Sequence, residues 1–168
     1  MQRVSDPPRF YYDLASPRAW LRAERVVEEL GEVPEFVPVR MEPAGFRCAE
    51  EVAAHFEDIA RQAQEWELLA VRPPPVFPAD TDFAMLAATY ARQIGKVVAF
   101  SLAAFRQAFC AGRDLGERET VLIAGAAAEI HPAALIKGAG LRATAQRLAT
   151  ATEEARAAGV DEVPAVVR

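Results

Sequence analysis

The chain has 168 residues and a mass of 18.3 kDa, the length of one domain and too little for two full ones. Apolar residues make up 52% and charged residues 26%, which excludes an intrinsically disordered chain and leaves enough apolar material to bury roughly 70% of the unfolded surface. Nineteen basic against twenty-four acidic side chains give a net charge of −5 with no Lys/Arg block, so nucleic acid is not expected as a partner. Cys48 and Cys110 stand far apart in a chain with two histidines, which supplies neither a disulfide framework nor a Cys/His zinc site. The N-terminal MQRVSDPPR is polar and proline-rich where a secretory signal needs an apolar stretch, and no apolar run approaches a membrane span. The expectation is a soluble, cytoplasmic protein with no membrane partner.

In chain order, RFYYDL (Arg9–Leu14) is rich in aromatic β-formers and reads as a buried strand ending at the turn Ala15-Ser16-Pro17. Ser16 followed by Pro17 is a helix-start signal, because the hydroxyl can accept from an orphan N–H and proline loses nothing at the first helical position. Leu21, Val26, Val27 and Leu30 then keep helical spacing as far as Gly31, so a helix is predicted from about Pro17 to Leu30. Pro34–Met41 (PEFVPVRM) reads as a second strand, placed at a sheet edge by Pro38. If the two strands share a sheet, the opening is a parallel β-α-β unit.

From Phe46 to about Gly159 the chain reads as helical, broken by the proline-rich RPPPVFPAD (Arg72–Asp80). Val52, Phe56, Ile59, Ala60 and Ala63 mark one helix face before the break, where Asp58 and Arg61 can pair at i, i+3. Phe83, Leu86, Ala87, Tyr90 and Ile94 mark another that stops at Gly95. Further helices are predicted over Lys96–Ala111, Glu117–Ile130, Pro132–Lys137 and Leu141–Ala158. EVPAVVR returns to β-branched composition and reads as a short strand entered through Pro164. A β-α-β unit alone cannot bury its faces. The layout is therefore read as one α/β domain divided into 1–45, a helical insertion over 46–159, and a third strand over 160–168.

FYYDLASPRAWL (Phe10–Leu21) resembles the first strand and active-site turn of the thioredoxin-like proteins that include DsbA-type oxidoreductases, kappa-class glutathione transferases and 2-hydroxychromene-2-carboxylate isomerases. Asp13, Ser16, Pro17 and Leu21 fall on that group's D-x-x-S-P-x-x-x-L pattern. RPPPVFPADTDFA, AFRQAFCAGRDL and EEARAAGVDEVPAVV resemble later segments of the group in the same order, so the resemblance spans nearly the whole chain. It implies a thioredoxin-like fold interrupted by a large helical insertion. Redox members carry Cys-Pro-x-Cys at the start of the first helix, whereas the isomerase and transferase branch begins with serine. Here the residues are Ser16, Pro17, Arg18 and Ala19, with no local dithiol, so disulfide oxidoreductase activity would be a family label only.

The resemblance assigns Ser16 a role toward glutathione or another low-molecular-weight thiol. A helix N-terminus presents free N–H groups and about half a positive charge, which stabilise a thiolate, and a serine hydroxyl there can donate to the sulfur. The family chemistry would be addition of that thiolate to an aromatic or conjugated small molecule, bond rotation and elimination. Read locally, Ser16 is simply a helix cap, and both readings stay open at this point. The resemblance also implies a cis Val163–Pro164 bond, with Val163 offering backbone groups to the cofactor beside Pro17 and Pro164. Arg18 could pair with a substrate carboxylate or remain a solvated surface residue, and Tyr12 and Trp20 are weaker substrate candidates. Alternation sends Tyr11 and Asp13 to one face of the first strand and Tyr12 to the other. Cys48, Cys110 and Trp66 read as packing residues, and His55 and His131 as structural or surface residues.

After this late strand the family continues into a hairpin partner and a closing helix, whose intervening turn helps hold the γ-glutamyl group. With Arg168 as the last residue, the third strand is expected to have an open edge and one sheet face to lose its cover, which points to a homodimer. The alternative to an enzyme is a non-catalytic scaffold for binding or dimerisation.

Overall fold

The structure, a computed structural model, describes residues 6–41 and 45–168. Its elements run β1 (Arg9–Tyr12), α1 (Pro17–Leu30), β2 (Glu35–Pro38), α2 (Ala49–Glu65), α3 (Asp82–Gln93), α4 (Val97–Phe109), α5 (Arg118–Ala127), α6 (Pro132–Ala139), α7 (Arg142–Ala157) and β3 (Ala165–Val167). The sheet has the order β2-β1-β3. β1 pairs β2 in parallel, with Tyr11 opposite Val37 and Tyr12 opposite Pro38, and pairs β3 antiparallel, with Phe10 opposite Val166. Pro38 therefore lies on an edge strand, as a residue without an N–H requires.

Both opening strands are shorter than their β-forming composition predicts, and side chains are the reason. The Asp13 carboxyl accepts from Ala15 N (2.9 Å), while Ser16 N donates to the Asp13 carbonyl (3.1 Å), so β1 curls into a turn after Tyr12. On β2, Val39 N still reaches the Tyr12 carbonyl. The next donors leave the sheet: Arg40 N goes to Thr152 Oγ1 (3.0 Å) and Met41 N to Asp13 Oδ2 (3.3 Å). The predicted strand end thus becomes an anchor between β1, β2 and α7.

Alternation along β1 divides the core in two. Phe10, Tyr12 and Phe36 face α1 and α3–α5, with Phe10 and Phe36 edge to face at 4.9 Å between ring centres. The Tyr12 hydroxyl meets Ser101 Oγ inside α4 at 2.5 Å, and burial raises its pKa well above the ordinary phenol value. Tyr11, Val37, Val39 and Met41 face the other way, where Ala151 and Ala155 of α7 and Val160 cover them. The expectation of an uncovered sheet face is corrected accordingly: small residues on α7 let it lie on β1 and β2, while all three residues of β3, Ala165, Val166 and Val167, are half-buried.

The helices follow the sequence pattern apart from their ends. Gly31 closes α1 at φ +70°, its N–H reaching Val27 O (2.9 Å). Gly138 is demanded by packing, because a Cβ there would sit 2.3 Å from the Tyr90 ring. Ala60, assigned to the buried stripe of α2, is exposed. Cys48 is exposed as well, at the start of α2, which corrects its assignment to packing. Cys110 is half-buried at the end of α4, and burial pushes its thiol up to about 11, as suits a packing residue. Among the described residues no single helix is long and apolar enough to cross a membrane.

Candidate active site

The turn after β1 places Ser16 at the start of α1 in extended conformation, with Pro17 as the first helical residue. Ser16 Oγ accepts from Ala19 N at 3.2 Å. A hydroxyl that accepts through its oxygen keeps its own hydrogen to donate, so the capping role and a role toward a ligand are compatible. The open side of this turn is a cleft of about 190 Å³. Ser16, Pro17 and Arg18 form one wall, and Glu162 and Val163 face them from the segment that enters β3. Val163–Pro164 is a cis bond, as is Phe77–Pro78. Segments from opposite ends of the chain are thereby brought to one space.

Asp13 closes the floor of the cleft. Only 4% exposed, its carboxyl accepts from Ala15 N and Met41 N, with Thr81 Oγ1 at 3.5 Å. Burial raises its pKa above the ordinary carboxyl value, and those N–H groups together with the charge of Arg40 oppose the rise. Arg18, at the rim, is 58% exposed in its side chain and lies 3.6 Å from Asp58. A pair that open to solvent contributes little to stability and leaves the guanidinium able to turn toward an anion in the cleft.

Among the cleft residues not identified as site residues from the sequence, three are rings. Phe46, His55 and Phe77 line it together, with the His55 ring 5.1 Å from Phe46 and stacked on Phe77 at 6.1 Å. His55, read from the sequence as a structural or surface residue, is half-buried and lines the same cleft as Ser16. Its pKa is lowered from the usual imidazole value, first by burial and then by the Arg18 charge, with Asp58 opposing. The available signal was spacing, since His55 stands three residues after Val52 and four before Ile59, a polar residue on an otherwise apolar stripe.

Two weaker candidates are placed elsewhere. Tyr12 and Trp20 are both fully buried, Tyr12 against α4 and Trp20 beside Phe109, with its indole N–H on Glu24 (3.0 Å). Neither faces the cleft, because the inward side of β1 and the inner face of α1 point into the main core. His131 caps α6, its Nδ1 accepting from Ala133 N (3.2 Å). Among the described residues no group of three or more His, Cys, Asp or Glu could hold a metal ion.

Residues 9–168 match the model of the DSBA-like thioredoxin domain, and the chain belongs to that family. Among solved structures it is similar to a 2-hydroxychromene-2-carboxylate isomerase, with a TM-score of 0.82 at 14% identity over 96% of this chain and 84% of the other. It is also similar to a "probable DsbA oxidoreductase" from Streptomyces coelicolor, with a TM-score of 0.76 at 17% identity over 95% and 79% of the two chains. At such identities the likeness is one of fold. No curated protein matches the chain.

The raised pKa of Asp13 has a defined consequence for stability. Where the folded carboxyl binds a proton more tightly than the unfolded one, its contribution is present on the acid side and is lost as pH rises through the folded value. Urea titrations should therefore show wild type losing stability relative to Asp13→Asn as pH rises from the ordinary carboxyl value, then levelling. A relative gain over that interval would contradict the assignment.

Proposed function

We propose that the protein is a thiol-cofactor-dependent isomerase or transferase, with glutathione or a similar small thiol as cofactor and a flat aromatic or conjugated molecule as substrate. One observation carries this reading: Ser16, at the positive end of α1, and Val163, before a cis proline, line a single cleft. In this reading the cofactor lies along Val163 and Pro164 with its sulfur at Ser16, where the hydroxyl and the helix N-terminus hold it as a thiolate. The sulfur adds to the substrate's conjugated carbon and the electron pair moves to the carbonyl oxygen. The former double bond rotates, and the pair returns to expel the sulfur. Phe46, His55 and Phe77 offer ring faces to a flat substrate, and Arg18 offers a charge to its carboxylate. The cytoplasm suits such a cofactor. Support for isomerase over disulfide exchange comes from the Ser-Pro-Arg-Ala sequence at the helix start, which holds no cysteine.

Ser16 variants separate capping from chemistry. Ser16→Ala should cost about 1 kcal/mol of stability and most of the turnover with glutathione and an aromatic enone. Ser16→Asp keeps the cap but removes the donor and adds a negative charge, so it should retain stability and lose turnover. Ser16→Asp with wild-type activity would reject the thiolate role, and calorimetry that finds no glutathione binding to wild type would reject the cofactor.

A second reading, a scaffold that dimerises, is favoured by β3, whose outer edge has no partner strand among the described residues and whose three residues are half-buried. Edge pairing between two copies would give a homodimer in sedimentation at micromolar concentration, and a monomer there would reject it.

A further inference from the structure

The cleft holds a group that thiolate stabilisation by Ser16 leaves unused. We propose that His55 is its proton acceptor, the imidazole taking the proton from the thiol as the sulfur settles at Ser16 and returning it when the thiol leaves. This rests on the reading of the cleft as a thiol site.

Geometry carries the assignment. His55 and Ser16 line the same cleft of about 190 Å³, so a sulfur at Ser16 and the imidazole share one space across which a proton can pass, directly or through water. The imidazole has no hydrogen-bond partner among the described residues, while the rings of Phe46, Phe56 and Phe77 around it fix its plane. A histidine serving only as a helix cap has its nitrogen engaged, as His131 does toward Ala133. The charged groups around His55 are Arg18 from α1, Asp58 and Glu51 on its own helix, and Asp13 and Glu162 lining the cleft. Asp58 faces both Arg18 and Arg61, and Glu51 is bound to Arg47. The carboxylates nearest His55 on its own helix are therefore occupied, and Asp13 is held by backbone donors. The shift of the imidazole below its ordinary value keeps it neutral near pH 7, the state that accepts a proton.

The step balances without a further reactant. Thiol and neutral imidazole become thiolate and imidazolium as the S–H bond breaks and an N–H bond forms. The thiolate adds to the conjugated carbon and is expelled after rotation with its electron pair. It then recovers the proton from imidazolium, and no group is oxidised or reduced. Arg18 at the rim also holds the imidazolium acidic enough to give the proton back.

The test uses the chain's own thiol. In a chain whose exposed Cys48 and half-buried Cys110 are replaced by alanine, Ser16→Cys puts a sulfur where the cofactor's is placed, and the pH dependence of its alkylation by iodoacetamide reads its pKa. Adding His55→Gln should raise that pKa by about one unit, seen as roughly tenfold slower alkylation near neutral pH. A readout that leaves His55 in place is its NMR titration in Ser16→Cys, where capping the thiol should lower the imidazole pKa. Equal thiol pKa values in the two variants, with an imidazole titration indifferent to capping, would overturn the proposal. Because no glutathione is involved, failure of glutathione to bind wild type would reject the cofactor while leaving a measured coupling to stand.

Discussion

The buried carboxyl of Asp13 is the constraint on which the site depends. It accepts from Ala15 in the turn that leads to Ser16 and from Met41 beyond β2, and it meets Thr81 at the entrance to α3. Three chain segments are joined at one polar group. Leaving either N–H unpartnered at this depth would cost about 1–3 kcal/mol. β1 turns away after Tyr12, whose carbonyl takes Val39 N, so Met41 N beyond it needs an acceptor that the sheet does not supply and finds the Asp13 carboxyl. The turn that presents Ser16 is therefore set by the sheet's own shortfall of hydrogen-bond partners.

Upon that anchor, α1 supplies the electrostatics. Its first residues, Ser16, Pro17 and Arg18, line the cleft, the Ala19 N–H is taken by the Ser16 oxygen, and proline at the first helical position removes a donor without weakening the helix. Across the space, Val163 stands in the segment that enters the last strand, so the two sides are joined by β1–β3 pairing and by the packing of Val163, Ala165 and Val167 on the cluster around Tyr11 and Met41. The helical stretch between β2 and β3 completes the enclosure by bringing Phe46, His55 and Phe77 to the remaining side. Polar chemistry on one wall and ring faces on another suit a ligand with a thiol end and a flat apolar body.

Local signals were legible in the sequence where local physics decides the outcome. Ser16-Pro17 and Gly31 bracket α1, Gly95 separates α3 from α4, and the ends expected for α4 to α7 fall within three residues of those observed. The parallel β1–β2 pairing and edge position of β2 follow from Pro38 and the β-α-β order. Ser16 and Val163 were paired only through resemblance to a family, since no local rule joins residues at opposite ends of a chain. Tyr12 and Trp20 were misplaced because closeness in sequence to Ser16 says nothing about which way a side chain points; β alternation and helix periodicity turn both into the core. His55 was missed for the converse reason. Its partners Phe46 and Phe77 lie in irregular segments on either side of α2, where no periodicity reports a shared face.

In the proposed function the start of α1 ionises a sulfur lodged between Ser16 and Val163. The ultraviolet thiolate absorbance of glutathione bound to the unmodified protein, followed as a function of pH, reads that ionisation. Thiolate should be present at pH values where free glutathione is still protonated. A bound thiol that titrates as it does in water would rule out ionisation by the helix start.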